Sequence, residues 1–123
     1  MAKSAVAGPA VEIWHNPKCA TSRKVLDLIR KAGVEPRIVD YVKTPPTQAA
    51  IKAVLKEAGL TARELLRRRG TPYDELGLDD PKLTDAALIA AMARHPLLIE
   101  RPVVRARHGT RVCRPPEWLS EIL

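Results

Sequence analysis

The chain has 123 residues, 46% of them hydrophobic and 28% charged, with 21 Lys plus Arg against 14 Asp plus Glu for a formal net charge of +7. That length suits one core without disulfide staples, and no apolar run approaches the ~20 residues that cross a bilayer. The first residues, MAKSAVAGPA, are too short and too weakly apolar for a secretory signal, so the expectation is one cytoplasmic domain over 1–123 with a flexible N-terminus at 1–10.

In chain order, residues 11–15 alternate and are β-rich, which predicts a first strand, and Asn16-Pro17 is a turn signal. From Ser22 the period changes: Val25, Leu26, Leu28, Ile29 and Ala32 share one helical face. Thr21 or Ser22 can cap that helix and Gly33 can end it. Residues 37–42 predict a second strand and Pro45-Pro46 a loop. A helix follows over 47–58, with Gly59 closing it. Thr61 and Glu64 form a capping box between Leu60 and Leu65, predicting a short helix to about Arg69. Residues 73–81 are compact and polar. Residues 84–95 predict another helix, 103–107 and 110–113 a hairpin around His108-Gly109, and 115–123 a closing helix. The pattern predicts an α/β fold, a small mixed sheet flanked by helices.

The two cysteines differ in company. Cys19 lies in the first strand–helix turn among Pro, Lys, Thr, Ser and Arg. Unpaired N–H groups at a helix start favour a thiolate, and Lys18 and Arg23 are expected to add positive charge. Its alternative is a small buried hydrophobe. Cys113 reads as a packed thiol, with a redox role as its alternative. His15 either ends the strand and bonds the loop or tunes the thiol.

No CxxC, HExxH, GxGxxG or GxxxxGK[ST] occurs, so no metal site is expected and the P-loop and dinucleotide readings fall. A C-x5-R phosphatase loop is absent too, since Val25 stands six places after Cys19. The positive excess is spread along the chain and suits anions in general. Few aromatics and no basic helical stripe argue against nucleic acid. Arginine outnumbers lysine thirteen to eight, and its planar fork suits a tetrahedral oxyanion. Arg67 to Arg69 are expected to end the short capped helix, while Arg101 and Arg114 bracket the hairpin.

A strand–helix–strand start with cysteine in its first turn is the layout of thioredoxin-like folds. The run from His15 through Asn16, Pro17, Lys18, Cys19, Ala20, Thr21 and Ser22 to Arg23 resembles the active-site loop of the glutathione/glutaredoxin-dependent arsenate reductases. Further blocks agree in order: Arg63-Glu-Leu-Leu-Arg67, Pro72-Tyr73, His95-Pro96, Arg101-Pro102-Val103-Val104, and Gly109 to Pro115. The resemblance implies a thioredoxin-like fold with an inserted helical region and a catalytic Cys19. It implies that Arg67, Arg101 and Arg114 hold arsenate, with His15, Asn16, Ser22, Arg23 and Pro102 in support, Pro102 after a cis bond. It implies glutathione as co-substrate, glutaredoxin as partner and no bound cofactor. Alternatives of the same fold are a thiol–disulfide oxidoreductase of other substrate and a redox-responsive protein-binding regulator. That regulator branch typically carries CxxC, where this chain has Cys19-Ala-Thr-Ser22.

Overall fold

In a computed structural model describing residues 10–123, the β-rich stretch forms strand β1 (Glu12–His15), followed by helix α1 (Ala20–Lys31) and strand β2 (Arg37–Asp40). The expected flexible N-terminus lies, apart from Ala10, outside the described residues. Helices α2 (Gln48–Ala58), α3 (Ala62–Leu65) and α4 (Asp85–Arg94) come next, then a 3-10 turn at Pro96–Leu98. Strands β3 (Val103–Ala106) and β4 (Gly109–Val112) and a 3-10 segment, Pro116–Glu121, complete the chain. It falls into two compact units: residues up to Asp40 with Arg101–Leu123, and Tyr41–Glu100.

The first unit holds a mixed sheet of order β2-β1-β3-β4, with β1 parallel to β2 and antiparallel to β3. Ile13 stands opposite Ile38 on one side and Val104 on the other. On one sheet face a layer of Val11, Ile13, Val25, Leu26, Ile29, Val104, Cys113, Leu119 and Ile122 is buried. This is the apolar side of α1 predicted by periodicity, and each large side chain contributes about 1.5–3 kcal/mol by leaving water. Gly109 turns the β3–β4 hairpin at φ +142, and a Cβ there would press to 3.2 Å from Ile122 Cγ2.

The second unit is the helical insertion. Thr47 and Thr84 cap α2 and α4 by accepting the Ala50 and Ala87 amides, and the Thr61–Glu64 capping box is present. Ile51, Val54, Leu65, Leu88, Met92 and Leu98 are buried there. The Arg63 guanidinium donates to Leu78 O and Asp80 O, tying down the polar stretch after Tyr73 as turns.

Three expectations change. Helix α1 begins at Ala20 with Cys19 itself as N-cap, because the Ser22 hydroxyl is engaged inside the loop. Helix α3 stops at Leu65, so Arg67 to Arg69 are not helical: Leu66 bridges to Ile99, and the Arg67 amide donates to Leu98 O at 2.7 Å. The closing segment is 3-10, starting beside Pro115 and Pro116, which lack amide hydrogens. Among the described residues no helix is long and apolar enough to cross a membrane.

Candidate active site

The loop after β1 is wound around one buried hydroxyl. Ser22, fully buried on the first turn of α1, accepts the Asn16 amide at 3.1 Å and shares a 2.6 Å hydrogen bond with His15 Nδ1. Asn16 in turn accepts the Lys18 amide through Oδ1 at 3.0 Å and the Cys19 amide through its carbonyl at 2.9 Å. Burial lowers the pKa of His15, as do Arg30 and Arg23, while Asp40 opposes them. A neutral imidazole is therefore favoured. His15 ends its strand and bonds the loop, the first of the two roles its position suggests; its side chain meets the Ser22 hydroxyl.

Cys19 is half-buried at the N-terminus of α1, with extended backbone at φ −96 and ψ 121. Its burial raises the thiol pKa and is the largest influence. The Ser22 amide, the Arg101 and Arg114 guanidinium groups and the Arg101 charge together outweigh it, so the pKa lies below the ordinary thiol value. Cys19 makes no regular side-chain capping bond; the Ser22 N–H favours the sulfur once it is charged. Arg114 Nη1 stands 3.8 Å from Sγ and also donates to Arg101 O at 3.2 Å, so the two arginines meet at the sulfur.

The positive charge acting on the thiol thus comes from Arg101 and Arg114. The expected contributions of Lys18 and Arg23 are not among its causes. Arg23 is exposed and donates from Nη1 to Pro17 O at 2.8 Å, which braces the loop. The Arg101–Pro102 bond is cis, as the fold resemblance implied, and so is Arg114–Pro115, which the sequence reading did not anticipate. Pro102 O accepts the Cys113 amide at 2.9 Å. Cys113 is buried in the apolar layer, and burial pushes its thiol up to about 12.

Arg67 belongs to the other unit. Its Nη1 donates to Glu100 Oε1 at 2.9 Å and its Nε to Arg69 O at 3.1 Å. Glu100 was not singled out from sequence, although it directly precedes Arg101. The only available signal was a lone carboxylate among apolar residues and arginines. Among the described residues no group of three His, Cys, Asp or Glu side chains is placed to hold a metal ion.

Residues 14–122 match the ArsC family. The chain is 52% identical over 113 residues to an arsenate reductase of Rhizobium meliloti, covering 92% of this chain and 81% of that one. An arsenate reductase of Escherichia coli K12 is 48% identical over 113 residues, at 92% and 80% coverage. A solved arsenate reductase from Vibrio cholerae superposes with a TM-score of 0.89 at 42% identity, covering 95% of this chain and all of that one.

Proposed function

The chain belongs to the ArsC family and is an arsenate reductase, and we propose that Cys19 is its nucleophile, with Arg101, Arg114 and Arg67 as the arsenate-holding side chains. The observation that carries this reading is the Cys19 thiol at a helix start with the Arg101 and Arg114 guanidinium groups at its sulfur. The thiolate attacks arsenic, a sulfur–arsenic bond forms, and one arsenate oxygen takes up protons and leaves as water. Guanidinium groups at that point neutralise the oxyanion and the charge that develops on its oxygens. His15, Asn16, Ser22 and Arg23 keep the loop in the shape that offers the sulfur, and Pro102 supports the site as the residue that follows Arg101 across a cis bond.

The two electrons come from two thiols. Glutathione is the second: its sulfur bonds to that of Cys19 as the arsenic–sulfur bond breaks, and arsenic leaves as arsenite with the electron pair. Glutaredoxin then reduces the Cys19–glutathione disulfide. The absence of a cysteine at Ser22 supports an external second thiol. The test is arsenite formation from arsenate with glutathione and glutaredoxin, native chain against Cys19→Ser. Mass spectrometry after one turnover should find glutathione on Cys19. A Cys19–Cys113 disulfide as the main product would overturn the donor assignment.

A further inference from the structure

Arg67 and Glu100 are brought together by the backbone. The bridge Leu66↔Ile99 is antiparallel, flanked by Arg67 N–H to Leu98 O at 2.7 Å and Glu100 N–H to Leu65 O at 2.8 Å. In that register Arg67 and Glu100 are diagonal neighbours on one face, within reach for long side chains. Their side chains keep only 15% and 25% of their exposure, so the ion pair is screened less than a surface pair. Arg67 Nη1 is held by the Glu100 carboxylate and Nε by Arg69 O, which leaves Nη2 as its nitrogen without a protein partner among the described residues.

We propose that Glu100 is a positioning residue for oxyanion capture: with Arg69 O it pins two of the three Arg67 nitrogens and leaves Nη2 for the anion. This rests on the reading that Arg67 holds arsenate. A free arginine side chain samples many rotamers, and fixing it before the substrate arrives removes that ordering from the binding step. Reach matters more than charge in such a role. Glu100→Gln keeps an acceptor at the same distance, whereas Glu100→Asp keeps the charge but withdraws it by one methylene.

The test measures KM and kcat for arsenate and the inhibition constant of inorganic phosphate, with thermal melts alongside. Glu100→Ala is expected to raise KM and weaken phosphate inhibition roughly tenfold, with kcat changing less. Glu100→Asp should lose nearly as much and Glu100→Gln should stay within about threefold of the native chain. In an Arg67→Ala background Glu100→Ala should add nothing further. Tighter phosphate inhibition in Glu100→Gln would overturn the proposal, because the carboxylate would then be competing with anions. So would native constants in both Glu100→Ala and Glu100→Asp. If Arg67→Ala itself leaves KM and phosphate inhibition untouched, the Arg67 assignment fails and the proposal with it. If Arg67→Ala is damaging while the Glu100 variants are not, only the positioning role fails.

Discussion

The loop ahead of α1 and the apolar layer beneath the sheet each contain one thiol, and they treat it in opposite ways. Cys19 meets a helix N-terminus and two guanidinium groups, which hold its pKa below the ordinary thiol value against its burial. Cys113 meets Ile13, Val104, Leu119 and their neighbours, and its thiol is pushed up to about 12. Both belong to the same compact unit, and Cys113 directly precedes Arg114, whose guanidinium stands at the Cys19 sulfur. Reactivity here follows the polar groups within a few ångströms of the sulfur and not the unit as a whole.

The comparison breaks first at the sulfur itself. Cys19→Ser should cut arsenite formation by roughly a thousandfold or more, since a hydroxyl is a far weaker nucleophile at neutral pH, while thermal melts stay near native. The guanidinium groups come next. Arg101→Lys or Arg114→Lys should lower kcat/KM for arsenate by roughly ten- to a thousandfold, about 1.4–4 kcal/mol of transition-state stabilisation. Each should also move the Cys19 alkylation midpoint upward. Arg68→Lys is the matched control, expected within about twofold, because Arg68 is an exposed partner of Asp74. Equal losses in all three would reduce the site to a diffuse positive field.

The buried thiol gives a smaller effect of a different kind. Cys113→Ser should keep activity within about twofold and lower stability by about 1–3 kcal/mol, as a hydroxyl enters an apolar layer. Chemical denaturation and steady-state rates measured together would check this; a thousandfold loss of activity in the folded variant would make Cys113 a redox partner.

The pH dependence of folding sharpens the contrast further. Cys19 is depressed in the folded state, so its contribution to stability is present above the unfolded thiol value of about 8.5 and fades as pH falls through its folded value. Cys113 is raised, so its contribution is present below about 8.5 and is lost as pH climbs toward about 12. Denaturation of Cys19→Ser and Cys113→Ala from pH 6 to 10 should show slopes altered in opposite senses. Identical slopes would contradict the assignment.

Much of this was legible in local sequence. The capping box at Thr61 and the apolar face of α1 are short-range signals, and each stands where expected; the helices expected from 47 and 84 start one residue later, with Thr47 and Thr84 as their caps. The misreadings fall where distant chain segments intervene. Arg67 looks helical until Leu66 pairs with Ile99, and that pairing is invisible within a ten-residue window. Ser22 looked like a cap because its hydroxyl could serve as one, but His15 and Asn16 claim it. Arg114 approaches Cys19 across 95 residues of chain; the family resemblance anticipated it, and no local periodicity could have done so.

Ser22 occupies the place where a second cysteine would make a local disulfide, and its hydroxyl is turned inward to His15 Nδ1 and the Asn16 amide. The other cysteine is sealed in the apolar layer. On the proposed chemistry an oxidised Cys19 would have no second thiol beside it to draw electrons from. Its lifetime would be set by how often a thiol from solution reaches it, and throughput would gauge the surrounding thiol supply as much as arsenate.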